Sequence, residues 1–476
     1  MHIRFFLVLS LVLSIFSLNS QNKKSYPNFV FILADDQGWN GTSVKMIENN
    51  DRSKSDFYET PNIEKIASNG MVFSSAYASA PVCAPSRYSI QFGQTPARLK
   101  MIRVGMNTDH IDHEKKTSIA KQLKLVNPDY KTAHFGKWGM DSNPAKLGYD
   151  ESDGATKNKD GVFNYNSNDL QWSNNIDVDP KKIFSITKKA TDFIEKSAQE
   201  NLPFFLQISH YAIHSDIFAR ENTYEKFYDK KPGEIHNNIG LAAMTFDLDV
   251  SVGIILDKLE ELDLVSNTYV IYTSDNGSVP IIIPRKYYNQ SYNYPLKRGK
   301  WDATEGGIRV PFFIMGPGIK ENKYSNIPIS FSDILPTIID LAGDKKLKID
   351  GLDGGSFKKI MFQKKNNINR KTRGIIFHVP YENKIALERA HSAIILDTLK
   401  LIKFYDNNEV NLFDIRNDLN EDIDLTLQLY NNSENREKAK AMEEMLDSYL
   451  SKVKAPKWKP GITWKEKTLK KINSFH

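Results

Sequence analysis

The chain has 476 residues, 40% of them hydrophobic and 11% aromatic, with a formal net charge of +6. Its length supports one large domain with a smaller one attached, or two ordinary domains, and its apolar content supports a sizeable core rather than a disordered chain. The charge is mild for this length: it does not single out nucleic acid as a partner, and it is compatible with an anionic substrate.

Met1–Ser20 reads as a secretory signal, with His2 and Arg4 at its start, an apolar run Phe5–Phe16 and small residues near Ser20. The run is short for a membrane span, and no later segment reads as long and apolar enough to cross a bilayer. Export leaves Cys83, the only cysteine, without an intramolecular partner, which calls for a chemical explanation.

Asn28–Ala34 is a continuous apolar run, predicted as a strand buried on both faces of a parallel sheet, and it ends in Asp35-Asp36-Gln37-Gly38. In open α/β sheets ligands gather at the carboxyl ends of strands, where two adjacent carboxylates repel unless a cation lies between them. Thr60-Pro61-Asn62-Ile63 starts a helix with Thr60 as N-cap, and Gly70 ends it. Met71-Val72-Phe73 is a short strand feeding the Cys83 loop. Pro85 suits a first helical turn, which places Cys83 beside a helix N-terminus, where backbone donors favour an anion.

Lys131–Lys137 reads as a strand ending at a glycine turn, with His134 a core histidine, and Asn143–Gly161 as a surface loop at the mouth of a site. Lys181–Ser197 is helical by pattern. Leu202–Ser209 is a buried strand followed by His210-Tyr211-Ala212-Ile213-His214. The apolar spacing from Leu241 to Leu262 predicts a long amphipathic core helix. Tyr269–Thr273 is another buried strand, ending in Ser274-Asp275-Asn276-Gly277. This second strand-end pair of oxygen ligands can converge with the first on one cation, and hard oxygen donors suit Ca2+ or Mg2+.

A basic cluster, Lys297-Arg298-Gly299-Lys300, leads through Glu305-Gly306-Gly307 into a strand over Val310–Met315. Ser332–Thr337 opens a helix with Asp333 as a cap or turn residue. Between about Gly343 and Arg373 the composition turns to Lys, Asp, Gly and Asn, a domain boundary. Beyond it, Gly374–Val379, Ala393–Leu396 and Leu399–Tyr405 alternate like strands of an antiparallel sheet, and Glu434–Leu450 is a helix that covers them. The lysine-rich tail from Lys452 to Lys471 reads as solvated and packed by Trp458 and Trp464.

Cys83-Ala84-Pro85-Ser86-Arg87 resembles the C-x-P-S-R signature of the type I sulfatases of the alkaline phosphatase superfamily. Lys137-Trp138 resembles the family's G-K-W-H block, with Gly139 where the family has histidine. The His210–His214 segment resembles its histidine loop, with Asp216 at a usual proline. Lys300 through Pro311 resembles the G-K-x-x-x-x-E-G-G-x-R-x-P block, Ser332–Thr337 the D-x-x-P-T motif, and Asn411–Asp414 the L-Y-D-L stretch of sulfatase C-terminal domains.

The resemblance implies an α/β fold: a large, mixed, mostly parallel sheet sandwiched by helices, with a smaller C-terminal α+β domain of antiparallel sheet plus helix. The division is a signal peptide over 1–20, a catalytic domain over 21–345 and a C-terminal subdomain with a basic tail over 346–476. It implies that a maturation enzyme oxidises Cys83 to formylglycine (3-oxoalanine), whose hydrated form attacks the sulfur of a sulfate ester. By the same resemblance Asp35, Asp36, Asp275, Asn276 and the modified Cys83 hold one Ca2+, and Lys137 and Lys300 bind sulfate oxygens. Arg87 holds the modified residue and His214 protonates the leaving alcohol. The expected substrate is a sulfated polysaccharide or oligosaccharide, algal such as ulvan, met in the periplasm or outside the cell. Two other classes stand beside this one: a phosphomonoester or phosphonate hydrolase of the same superfamily, and a catalytically silent glycan-binding relative.

Overall fold

Alternating apolar residues on both sides of Asn28–Ala34 commit that strand to the middle of a sheet, and the rest of the chain is layered around it. The computed structural model describes residues 26–164, 169–282, 291–343, 349–383, 387, 389–427 and 432–461. The predicted signal over 1–20 and Trp464 lie outside the described residues.

The main sheet has eight strands. In chain order they are β1 (Asn28–Ala34), β2 (Gly70–Phe73), β3 (Lys131–Gly136), β4 (Glu151–Ser152), β5 (Phe204–Ser209), β6 (Thr268–Ser274), β7 (Phe312–Met315) and β8 (Lys323–Ser325). Their order across the sheet is β8-β2-β7-β6-β1-β5-β3-β4. Every pairing is parallel except those of β7 with β2 and β6. The predicted large, mostly parallel α/β sheet is therefore present, and β6, β1, β5 and β3 are adjacent parallel strands whose carboxyl ends share one edge.

Val30, Ile32 and Ala34 point into a core shared with helices α1 (Pro61–Ser68), α3 (Ile183–Gln199) and α4 (Ile239–Glu261). Phe29, Phe31 and Leu33 point the other way, towards α2 (Cys83–Phe92). Three details depart from the sequence reading. Thr60 does not cap α1 with its side chain; instead its Oγ1 accepts from the Ser43 amide at 2.9 Å. The first turn of α1 is satisfied from α4, because the buried Asp249 carboxylate accepts from the amides of Asn62 at 3.0 Å and Ile63 at 2.8 Å. The helix expected from Lys181 begins at Ile183, since Lys181 itself has φ +52.

The third departure concerns α4, the one helix among the described residues long and apolar enough by composition to cross a membrane, a match not expected from the sequence. Packing explains its character. Fifteen of its 23 residues are buried, so it is apolar on most sides rather than along one stripe.

The C-terminal sheet is an antiparallel meander of β9 (Ile375–Val379), β10 (His391–Leu396), β11 (Leu399–Phe404) and β12 (Val410–Asp414). Helix α5 (Ser433–Lys452) covers one face through Met442, Leu446 and Tyr449 on Ile376, Ile394 and Leu401. The alternate residues Ile375, Phe377 and Ile395 join the core that contains α2. The predicted antiparallel sheet with a covering helix is present, and Asn411–Asp414 supplies its fourth strand. Trp458 stacks on Tyr405 with ring centroids 6.5 Å apart.

A buried ion network ties this sheet to the elements packed against the main sheet. Lys400 on β11 is fully buried between Glu305, at 3.0 Å, and Glu421, at 2.8 Å. Glu305 also receives Arg309 at 3.2 Å and the Tyr77 hydroxyl at 3.0 Å. Removing one partner of a buried pair strands the others. Lys400→Met is therefore expected to lower the unfolding free energy by about 3–5 kcal/mol, measured by urea denaturation. An unchanged midpoint contradicts the network's role.

Candidate active site

The four adjacent parallel strands deliver their following residues to one place, the geometry by which open α/β sheets build sites at strand carboxyl ends. Asp35 and Asp36 follow β1, Asp275 and Asn276 follow β6, His214 follows β5 and Lys137 follows β3. The strand ends are cross-tied: the Asp275 amide donates to Ala34 O at 3.1 Å, the Asp35 amide to Ala212 O at 2.9 Å, and the Lys137 amide to Ser209 O at 2.7 Å. The Asp-Asn-Gly turn also packs directly on the Glu-Gly-Gly turn. A Cβ on Gly277 would lie 1.9 Å from Gly306 O, so no larger residue fits there.

Cys83 occupies the first turn of α2, as predicted, and its thiol is buried. Ser86 holds the preceding loop, accepting from the Ala80 amide at 3.1 Å and donating to Ala80 O at 2.9 Å. Burial pushes the thiol up against the opposing pull of Lys137, and the charges of Asp275, Lys300 and Asp35 also reach it.

Asp35, Asp36 and Asp275 offer oxygens that all lie within 4.8 Å of one another, and all three residues are buried. Each carboxylate has its own cation. The Lys137 ammonium pairs with Asp35 Oδ2. Lys300 Nζ lies 2.6 Å from Asp36 Oδ2. Arg87 Nε and Nη2 lie 2.9 and 2.8 Å from Asp275 Oδ2, and Arg87 Nη1 also donates to Lys137 O. Burial raises the Asp275 carboxyl to about 6, with Asp35 adding repulsion. Burial works the same way on Asp36, but Lys300, His214 and Lys137 outweigh it and hold that carboxyl well below the usual range.

Two oxygens in this cluster, Asp35 Oδ1 and Asn276 Oδ1, are buried with no hydrogen-bond partner among the described residues. An orphaned buried acceptor is costly unless something binds it. Crowded carboxylates, spare oxygen lone pairs and an all-oxygen donor set fit a hard divalent cation.

His214 donates Nδ1–H to Ser215 O at 2.6 Å, which leaves Nε2 facing Asn158 Nδ2 at 3.4 Å and Asp36 Oδ2 at 3.6 Å. Phe163 packs edge-on against its ring at 5.0 Å. Burial, reinforced by Lys300, lowers this imidazole to about 3. Asn158 and Phe163 bring the segment read as a mouth loop, and the residues just after it, over the histidine.

His134 is a core histidine, as read. Its Nε2 meets Ser209 Oγ at 3.0 Å, its ring packs edge-on against Trp138 at 4.7 Å, and burial lowers it to about 3. It does not replace the family histidine at position 139. Gly139 has φ +71, and a Cβ there would lie 2.8 Å from Arg87 Cδ, so the turn as built has no room for a side chain.

Sequence reasoning missed Lys181, which looked like the first residue of a helix. Its left-handed turn sends the side chain inward, where it is 1% exposed. Its Nζ donates to Ser215 O at 3.1 Å, the carbonyl that also accepts from His214, and to Val162 O at 3.3 Å. Burial lowers the ammonium to about 8, partly offset by Asp216, which stands where the family has proline. Adjacent lysines after Pro180 carried no signal for this, because periodicity does not register two consecutive residues, Lys181 and Lys182, at positive φ.

The folded state therefore binds fewer protons at Lys181 than the unfolded chain between pH 8 and 10.5. The burial penalty is fully present below that window, and stability rises through it. Wild type is expected to gain on the order of 3 kcal/mol over Lys181→Met between pH 8 and 10.5 in urea unfolding. Parallel pH profiles contradict the buried ammonium.

Residues 27–344 match the family described as Sulfatase, and residues 299–452 match the one described as N-sulphoglucosamine sulphohydrolase, C-terminal. The chain is 29% identical over 382 residues to the N-acetylgalactosamine-6-sulfatase of Mus musculus, covering 72% of this chain and 68% of the relative. It is 25% identical over 374 residues to the ulvan-active sulfatase of Formosa agariphila, covering 72% of this chain and 67% of the relative. Its fold matches the crystal structure of Ps i-CgsB in complex with k-i-k-neocarrahexaose, with a TM-score of 0.73, 23% identity, and 94% of this chain and 98% of that one covered. With the family match running through the whole strand-end site, the chain belongs to the sulfatase family and is a sulfuric ester hydrolase.

Proposed function

We propose that this enzyme removes sulfate from a sulfated polysaccharide or oligosaccharide, using a formylglycine made from Cys83 and one bound Ca2+. The observation that carries the reading is the convergence of three carboxylates, each matched by its own cation, beside a cysteine at a helix N-terminus. Algal glycans such as ulvan are the favoured substrates: one relative is an ulvan-active sulfatase, and the similar fold of Ps i-CgsB was solved with k-i-k-neocarrahexaose. Such polymers lie outside the cytoplasm, which agrees with the signal-like start of the chain. We assign the chemistry to residues 21–345 and a supporting role to 346–476.

Asp35, Asp36, Asp275 and Asn276 would hold the cation, which supplies charge neutralisation next to the sulfate group. Hydrated formylglycine would supply the attacking oxygen and then release sulfate by reverting to the aldehyde, so that water and ester become alcohol and sulfate. With a cation on the carboxylates, Lys137 and Lys300 are free to bind sulfate oxygens, and Arg87 keeps residue 83 and Asp275 in register. His214 is placed to protonate the leaving alcohol through Nε2, since its Nδ1 is committed to Ser215 O. The negative charge of a bound sulfate ester favours the protonated imidazole that this step needs.

The test measures inorganic sulfate released from sulfated polysaccharides by enzyme co-produced with a formylglycine-generating maturation enzyme. The Cys83 peptide is expected to carry oxygen in place of sulfur with two hydrogens fewer. Cys83→Ala is expected to lose activity, and Lys137→Ala and Lys300→Ala each to lose about 100-fold or more. Undiminished sulfate release by Cys83→Ala overturns the reading.

A further inference from the structure

We propose that a basic trough between the two sheets, separate from the Cys83 site, binds a second stretch of a polyanionic, sulfated glycan. This rests on the sulfated-glycan reading above and extends it from the reacting sulfate to the polymer that carries it.

A cavity of about 1280 Å3 lies apart from the strand-end site. It is a hollow where the segment after β8 and the segment 352–374, which includes a short helix over Lys358–Met361, meet the β10–β11 turn. Lys359, Lys365, Arg373 and Arg416 line it, and all four are exposed. Among the described residues none of the four meets a carboxylate within ion-pair distance, although many surface lysines of this chain do, such as Lys124, Lys189, Lys196 and Lys403. A fifth cation, Arg370, is already held by Asp333 at 2.6 Å. Of the two acids in the lining, Asp340 is engaged by Lys358 at 3.4 Å, which leaves Asp397 as the local counter-charge. Unpaired cations gathered in a concave surface repel one another, and a polyanion relieves that repulsion.

The hollow continues into a second one of about 430 Å3, sharing Asn326, Pro328, Asp397 and Arg416 with it. The second hollow reaches Met46–Asn49, in the segment that leaves β1 after the Asp35-Asp36 pair, and ends on Ser74 and Arg309. Ser74 O accepts from Trp39 Nε1 at 3.0 Å, and Trp39 lies three residues beyond Asp36. The trough therefore runs from the C-terminal sheet to the edge of the main sheet on which the catalytic strands end. Glu48 at its inner end concentrates the positive charge at the outer end, around Lys365 and Arg373.

Its chemistry fits a sulfated sugar chain: separated cations for sulfates, and the amides of Asn366, Asn367 and Asn369 for hydroxyls, with no aromatic side chain among the described residues that line the larger hollow to stack a base. Each exposed contact is weak alone, but several acting on one tethered polymer add through effective concentration.

The probe is dextran sulfate, with neutral dextran and duplex DNA as comparisons, in affinity electrophoresis of the full-length protein. The variant replaces Lys359, Lys365, Arg373 and Arg416 together by Ser, exposed positions whose loss leaves the core intact. Dextran sulfate is expected to retard wild type, and the variant to bind about tenfold more weakly, with neutral dextran inert. Equal retardation of the variant overturns the proposal, as does retardation by neutral dextran. Duplex DNA binding as tightly as dextran sulfate overturns the assignment to a glycan. Hydrolysis of a small aryl sulfate, expected to be the same in both proteins, is read separately: its absence from both counts against the catalytic reading and leaves the binding result standing.

Discussion

Three carboxylates on neighbouring strand ends cannot share a buried space unless positive charge reaches them, and that requirement organises this protein. Asp35 and Asp36 close β1, Asp275 closes the adjacent β6, and their oxygens crowd within 4.8 Å. Compensation comes from three separate parts of the chain. Lys137 arrives from β3, Arg87 from α2 and Lys300 from the loop before the Glu-Gly-Gly turn, each on its own carboxylate. The one-to-one matching makes each of these elements answerable to the others. Arg87 cannot keep Asp275 unless α2 starts at Cys83, and Lys300 cannot reach Asp36 unless the Glu-Gly-Gly turn seats on Gly277. The nucleophile candidate is thereby set beside the carboxylates.

That turn is in turn anchored from below. Glu305, in the same block as Lys300, is paired away from the strand-end cluster, with Arg309, with Tyr77 and with Lys400 of the C-terminal sheet. Glu421 accepts from the Glu305 amide at 2.8 Å and completes the junction. The C-terminal region therefore does more than cover a sheet face. It braces the turn that carries a sulfate-binding lysine in the proposed mechanism, and it contributes one wall of the basic trough.

Much of this was legible in the sequence because buried parallel strands are continuous apolar runs. Asn28–Ala34 was read to the residue, and Thr268–Ser274 within one residue at each end. The acidic pairs directly after them could be paired in space because strands of this kind end on a common edge. The antiparallel alternation of the C-terminal strands was equally plain. What escaped the sequence is whatever depends on a contact across the fold. Asp249 caps α1 from 187 residues away, a partner that no local N-cap pattern reveals. Lys181 turns into the core through a left-handed pair, Lys181 and Lys182. Gly139 stands where the family has histidine; the structure shows a left-handed turn against Arg87, where a side chain has no space.

The orphaned oxygens of Asp35 and Asn276 make divalent cation binding the most exposed part of this account. Isothermal titration calorimetry of Ca2+ into chelator-treated protein measures it directly. Wild type is expected to bind one cation per chain, Asp275→Asn to bind it at least tenfold more weakly, and a distant surface variant such as Lys188→Ala to change little. Absence of a binding isotherm in wild type, or an identical one in Asp275→Asn, would contradict the claim that these carboxylates converge in order to hold a metal ion.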